Sequence, residues 1–337
     1  MKTMKRLGAM LLAGALAMGT LAGCGGGSNS NSSANSGSAS AAASGEALKI
    51  GFVNEANTTV FDKLRMDALV EQINEVPDEF SIECSDANND IQKQIDMANT
   101  FIAKGVDCLM LVPCDSEGIV PAVESANQAG IPVICFGIKA AGGEYTYVGS
   151  ENYEAGQMQG EYMASLLPDN ARVLYLAGTA GLQHTADRRE GFLDALEEAG
   201  RDDVEILEDQ DGDYMKDEGM RITEAWIQSY GDGKGGVEFD AIVAANDQMA
   251  LGAVEALKGA NILQGNNEIL ITGVDGTDEA IEAVGDGYMV QTVLQDAPGQ
   301  GAAGLEALRE LVSSGSMQEE YIVPFVSITE ENLADYQ

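Results

Sequence analysis

Asn54-Glu55, Asn246-Asp247, Asp275 and Gln295 share one setting: each stands where a short apolar run stops. Pro113-Cys114-Asp115 and Phe136-Gly137 stand in the same setting. Most of these side chains are amides or carboxylates, planar groups suited to holding a ligand by hydrogen bonds. The templates for bond-making chemistry fail in turn. Gly231-Asp232-Gly233-Lys234-Gly235-Gly236 lacks the spacing and the hydroxyl of a phosphate loop and reads as a surface turn. No Gly-x-Ser-x-Gly elbow offers a nucleophile. Asp209, Asp211 and Asp213 open like a calcium loop, but Tyr214 stands where that loop needs Gly and Met220 where it needs Glu. The single histidine, His184, serves one acid/base pair at most and cannot build a His-rich zinc site. It stands just before Asp187 and Arg188, either lining a pocket or at a surface or cap position. No catalytic residue, metal site or cofactor is assigned.

Those strand-end groups need a scaffold, and the chain supplies strand-helix units from Leu48 onward. Continuous apolar runs such as Cys108–Val112 and Ile131–Phe136 alternate with helical patterns such as Ile91–Lys104, which stops at Gly105. Fully apolar strands between amphipathic helices define an α/β fold with parallel sheet covered on both faces. Helices are predicted over 59–74, 116–128, 153–167, 184–199, 214–230, 249–258, 279–284 and 298–313, with a closing strand over 321–328. The pattern restarts near residue 150, and the length from 46 to 337 suits two similar lobes. Ligands bind beyond the carboxyl ends of such strands, so two lobes facing each other make a binding crevice.

Composition narrows the partners. With 55 acidic and 18 basic residues, the formal net charge is −37, which repels a phosphate backbone and excludes bare nucleic-acid binding. Met1–Gly23 reads as an export signal: Lys2, Lys5 and Arg6 precede an apolar run too short for a comfortable membrane span. It ends Leu21-Ala22-Gly23-Cys24, which resembles the lipobox of bacterial lipoproteins, with Cys24 as the lipidated residue. The alternative is an ordinary signal cut near Ala22. Residues 24–45 carry on as a Gly/Ser/Asn/Ala linker with a reach of roughly 25 Å, a leash outside the cytoplasmic membrane. Cys84, Cys108 and Cys135 are expected as buried strand residues, and these and Cys114 as free thiols.

Ala244-Ala245-Asn246-Asp247-Gln248-Met249-Ala250-Leu251-Gly252-Ala253 and Gly273-Val274-Asp275-Gly276-Thr277 resemble hallmarks of sugar-binding proteins that serve ABC transporters. Lys104-Gly105-Val106-Asp107, Gly130-Ile131-Pro132-Val133, Tyr147-Val148-Gly149-Ser150, Arg188-Arg189-Glu190-Gly191-Phe192 and Val323-Pro324-Phe325-Val326 extend the match in order. The chain is thus similar to the type I periplasmic-binding proteins, the galactose/glucose-binding and ribose-binding ones above all. The resemblance implies two α/β lobes joined by a three-segment hinge, over 46–150 plus 297–320 and 151–296 plus 321–337. It implies a monomeric carrier that closes over a monosaccharide or polyol and delivers it to a membrane ABC permease. Arg188 falls where the family has its sugar-clamping arginine, Asn246, Asp275 and Gln295 on its amide and carboxylate positions, and Phe61 and Tyr214 on its aromatics.

Such a set is chemically coherent. Arg, Asp and Asn/Gln groups each engage two neighbouring hydroxyls, Arg188 and Asp275 balance each other across the sugar, and the rings cover its C–H face. Each assignment keeps its plainer rival: Arg188 a solvated helix residue, Phe61 and Tyr214 core, Asp275 a helix cap. Asp247 is expected to cap the helix beginning near Met249. The first lobe departs from the pattern. Gly137-Ile138 replaces a polar pair that includes a basic residue, Thr59 replaces an Asp or Asn, and Glu55 and Asp62 bring carboxylates to the rim. The expected ligand is therefore polyhydroxylated, other than ordinary galactose or ribose, with a positive or donor-rich end towards Glu55 and Asp62. Presentation of ligand to a membrane sensor and an exported α/β enzyme are the competing readings.

Overall fold

The computed structural model describes residues 46–56, 60–265 and 268–337. The signal segment, Cys24 and its linker, and Thr59 lie outside the described residues. The first lobe opens with β1 (Leu48–Asn54), α1 (Val60–Asn74), β2 (Phe80–Asp86), α2 (Ile91–Lys104), β3 (Cys108–Leu111), α3 (Val120–Ala129), β4 (Val133–Phe136) and β5 (Thr146–Gly149). The second lobe follows with α4 (Asn152–Leu166), β6 (Arg172–Ala177), α5 (Gln183–Glu198), β7 (Glu205–Asp211), α6 (Lys216–Ser229), β8 (Ala241–Ala244), α7 (Asp247–Gly259), β9 (Leu270–Asp275), α8 (Asp278–Gly285) and β10 (Gln291–Leu294). The chain then adds α9 (Ala297–Ser314), β11 (Glu320–Ile322), β12 (Val326–Thr329) and a 3-10 turn at Leu333–Asp335.

The strands form two six-stranded sheets, ordered β11-β5-β4-β3-β1-β2 and β12-β10-β9-β8-β6-β7. All neighbours are parallel except β12, which runs antiparallel to β10. The expected two-lobed α/β fold is the one found. Central strands such as β3 and β4 are buried at every position, which is why they read as unbroken apolar runs. Edge strand β2 is buried only at Phe80, and its Cys84 is exposed, not buried as expected. Cys84 has the parity of buried Phe80, but it lies further along an edge strand that pairs with β1 alone, where burial has fallen away. Cys108 and Cys135 are buried, and all four described cysteines are free thiols.

Three other boundaries move for local reasons. Helix α3 starts at Val120, not Ser116, because Pro121 belongs in a first turn and residues 116–119 form a turn ahead of it. Helix α6 starts at Lys216, because Asp213 and Tyr214 adopt left-handed backbone with φ of 51° and 59°. The closing strand expected over 321–328 is two strands: β11 pairs with β5 in one sheet, and β12 with β10 in the other. Pro324, with no N–H to donate, sits between them.

The chain therefore passes between the sheets three times, after β5, after β10 and between β11 and β12. Hydrogen bonds brace the first crossing. The Tyr147 hydroxyl donates to the Ser150 carbonyl at 2.8 Å, and Gln300 Nε2 to Ser150 Oγ at 2.9 Å. Away from the crossings the lobes also touch, where the Gln183 backbone N–H donates to Ser116 Oγ at 3.2 Å. The molecule is thus in a closed arrangement, with the carboxyl ends of both sheets around one cleft.

Candidate functional site

The cleft encloses about 390 Å³, at the small end of the range for ligand pockets. Its second-lobe wall is organised by Arg188 on α5, which is 4% exposed. Nε donates to Asn152 Oδ1 at 2.9 Å, Nη1 to the Ala245 carbonyl, and Nη2 to Gln295 Oε1 at 3.1 Å. One guanidinium thus ties the start of α4 to the end of β8 and to the second crossing. The Tyr214 and Phe325 rings flank it at 6.0 and 5.9 Å. None of its acceptors is a carboxylate. It is buried in the site, not solvated on a helix face.

Asn246 accepts from Met249 N–H at 3.0 Å and donates to the Tyr214 carbonyl at 3.2 Å. It is therefore the N-cap of α7, a role expected of Asp247, and it also pins the turn that holds Tyr214. Asp247 instead takes the first helical position and is fully buried. It accepts from Thr277 N–H and Oγ1 at 2.8 and 3.0 Å and from Thr292 Oγ1 at 2.6 Å. Those bonds join the loop after β9 to β10, directly behind Asp275. Thr277, not Asp275, caps α8.

Asp275 is 6% exposed and has φ of 133°, a backbone region that L-residues rarely adopt. Burial pushes its carboxyl well above the usual range; Asp247 adds to the rise and Arg188 opposes it. Tyr214 is strained as well, and its hydroxyl lies 2.8 Å from Thr185 Oγ1. Two strained residues facing one cleft are the kind of expense that functional sites carry.

In the first lobe, Glu55, Phe61, Asp62 and Gly137 line the cleft together. With them stands Arg65 of α1, a residue the sequence reading passed over, 3% exposed. Its Nη2 donates to Asp62 Oδ1 at 3.0 Å and to Glu55 Oε1 at 3.5 Å. Its guanidinium packs over the Phe61 and Phe136 rings at 5.6 and 5.9 Å. The expected rim carboxylates are thus already paired with this cation, which disfavours a positive ligand end and leaves the donor-rich alternative. Burial and Asp62 raise the Glu55 carboxyl well above its usual value, against the pull of Arg65. A signal was present: Arg65 follows Phe61 by four residues and Asp62 by three, which places all three on one helix face.

His184 is the second residue to join the site. Its ring stacks on Tyr214 at 5.2 Å and 16°, four residues before Arg188 on α5. Nδ1 is shut from solvent and has no hydrogen-bond partner among the described residues. Burial, then Arg188 and Arg65, hold its pKa well below the usual value, so the ring is neutral at pH 7. No group of three or more His, Cys, Asp or Glu among the described residues is arranged to hold a metal ion.

Asp247 carries a pH prediction. Its carboxyl is raised from 3.8 to about 6, chiefly by burial. A carboxyl raised in the folded state contributes stability at low pH that is lost as pH rises from its unfolded to its folded pKa. Asp247→Asn, which can still accept from Thr277 and donate to Thr292, is expected to flatten the decline between about pH 4 and 6. The difference in unfolding free energy between variant and wild type should shift by roughly 3 kcal/mol across that window. Urea titrations at stepped pH measure it, and an unchanged difference would refute the assignment.

A two-lobed α/β fold that closes on a cleft of buried polar groups describes a solute-binding protein. The family profile described as periplasmic binding protein domain matches residues 50–316, and the chain belongs to that family. The ribose import binding protein of Haemophilus influenzae is 33% identical over 73% of this chain and 80% of its own length. The putative rhizopine-binding protein of Rhizobium meliloti is 29% identical over 77% of this chain and 83% of its own. Among solved structures, an ABC transporter solute-binding protein from Bacillus halodurans with bound myo-inositol superposes with a TM-score of 0.78 at 33% identity. That match covers 87% of this chain and 98% of the other. The resemblance seen in the motifs is thereby borne out. The chain is a solute-binding component of ABC transport, not an enzyme, and works outside the cytoplasm.

Proposed function

We propose that this protein captures a neutral monosaccharide or polyol in its cleft and hands it to an ABC permease. The observation that carries the reading is the convergence of buried guanidinium, carboxyl and amide groups with aromatic rings from both lobes. A ligand that touches both walls has higher affinity for the closed form and shifts the hinge towards it. Arg188, Asn246, Asp275 and Gln295 supply the polar contacts of the second lobe, and Tyr214 an apolar plate. Glu55, Phe61, Asp62 and Gly137 face them from the first lobe, with Thr59 in the segment ahead of α1.

The lobes comprise residues 46–150 plus 297–322 and 151–296 plus 326–337, a shift from the expected 297–320 and 321–337 because β11 pairs with β5, with 323–325 as the third crossing. Cys24 carries the lipid anchor, the following linker is the leash, and the protein works as a monomer. The names of the relatives, a ribose import protein and a protein with bound myo-inositol, support a polyhydroxylated ligand. The altered first lobe favours a ligand other than ribose or galactose.

Calorimetric titration of the mature chain with myo-inositol and xylitol, with D-ribose and D-galactose as comparisons, is the direct test. Binding of a polyol with compaction in small-angle scattering is expected. No response to any neutral polyol or sugar would sink the reading, and tight ribose or galactose binding would sink the altered specificity. Mass spectrometry of membrane-extracted protein should find a diacylglyceryl mass on Cys24, absent from Cys24→Ala.

A further inference from the structure

Arg65 is buried, yet only one of its three nitrogens is engaged by the described residues. Nη2 holds Asp62 and Glu55, while Nε and Nη1 donate to no acceptor among the described residues. A guanidinium has five N–H donors, and leaving them unpaired in a 3%-exposed residue is costly. The Nε–Cζ–Nη1 side passes over Gly137 in the cleft wall. A Cβ at Gly137 would lie 2.2 Å from Nη1, 2.7 Å from Cζ and 3.0 Å from Nε, and Gly137 has φ of 79°. The space in which the guanidinium lies therefore exists because residue 137 has no side chain. The rings of Phe61 and Phe136 and the two carboxyls fix the group from the remaining sides.

We infer that Arg65 is the first lobe's ligand-binding donor, and that its free Nη1–H donors take a hydroxyl oxygen of an uncharged polyol. The inference deepens the proposed function and rests on it. Nε–H lies on the Nη2 side of the guanidinium and points away from Nη1, so Nη1 meets its hydroxyl as a separate donor, held in place by the engaged Nη2 edge. The charges around it specify a neutral partner. Asp62 and Glu55 already offset Arg65, and Asp275 stands in the same cleft, so an anionic group meets carboxyls. A cationic group meets two guanidinium groups, Arg65 and Arg188. A neutral polyol avoids both penalties. It presents lone pairs to Arg65 and hydroxyl protons to Asp275.

The test uses the mature chain with myo-inositol, xylitol and their single-deoxy analogues, titrated against wild type, Arg65→Lys, Gly137→Ala and Arg188→Lys. Arg65→Lys keeps the charge for Asp62 and Glu55 but loses Nη1 as a donor fixed in the guanidinium plane. Gly137→Ala removes no polar group and forces the guanidinium aside. Each is expected to weaken the parent polyol about 100-fold. In wild type, one deletion in the single-deoxy series, that of the hydroxyl held by Nη1, should cost a similar factor, and in Arg65→Lys that cost should shrink to a few-fold. A merely structural role for Arg65 lowers parent and deoxy affinities equally and leaves the ratio intact. That result overturns the inference, as does binding within three-fold of wild type by folded Arg65→Lys and Gly137→Ala while Arg188→Lys fails. Absence of polyol binding by wild type overturns the proposed function and this inference together. Thermal unfolding of each variant confirms that it is folded. If Arg65→Lys does not fold, a Gly137→Ala chain of native stability with unaltered affinity overturns the inference by itself.

Discussion

Arg188→Met is expected to abolish measurable polyol binding, a loss of at least about 10³-fold, and to destabilise the fold by about 3–5 kcal/mol. Both effects come from the same hub. Methionine fills much of the volume but leaves Asn152 Oδ1, the Ala245 carbonyl and Gln295 Oε1 without their donor. Those acceptors belong to the first crossing, the end of β8 and the second crossing, so the wall loses its register with the hinge. Asp275 also loses the cation that opposes its raised pKa, and should be protonated to higher pH. Arg188→Lys keeps the charge but cannot serve three divergent acceptors at once, and should fall between wild type and methionine in stability. Titration calorimetry with myo-inositol and urea unfolding measure the two effects. If Arg188→Met loses stability yet binds within ten-fold of wild type, Arg188 is scaffolding and not a ligand group.

The second large effect needs no polar group to change. Helices α4 and α5 cross at near backbone contact through Gly156 and Gly191. A Cβ on Gly156 would lie 1.9 Å from the Arg188 carbonyl oxygen, and one on Gly191 would lie 2.1 Å from that of Tyr153. Backbone on the far side cannot rotate away as a side chain can, so the helices must part. Gly156→Ala and Gly191→Ala are each expected to cost about 3 kcal/mol or more. They should also weaken polyol binding by 10–100-fold, because α5 carries Arg188 and α4 carries Asn152, and a displacement of about 1 Å is enough. Gly259→Ala, at the end of α7 with nothing within 4 Å of its Cβ, is the control. It should be neutral or stabilising by up to about 1 kcal/mol. Equal behaviour of the three variants in urea unfolding and calorimetry would refute the close-packing argument.

The sequence by itself determined the architecture, because period and burial are local signals. Strands buried on both faces must be apolar throughout, as Cys108–Leu111 is, and the helices between them announce their ends with residues such as Gly105. It also marked the second-lobe groups. Arg188, Asn246, Asp275 and Gln295 sit at strand ends or on a helix start, positions that the α/β rule places at the cleft. Their motifs carried the family resemblance as well.

The tertiary structure alone decided what those groups do to one another. Asn246, not Asp247, became the cap, because the choice depended on which side chain the Thr277 and Thr292 hydroxyls could reach. Tyr214 and Asp275 adopt backbone that no propensity would assign them, held by contacts from distant segments. The split of the last strand depended on two sheets competing for it. In the first lobe the sequence showed a missing side chain at residue 137 and two extra carboxylates. Seventy-two positions separate Gly137 from Arg65, and only folding brings the glycine under the guanidinium. Hydrogen-bond partnership and excluded volume act through space, so a residue's type and neighbours show what it can do, and the packed chain decides what it meets.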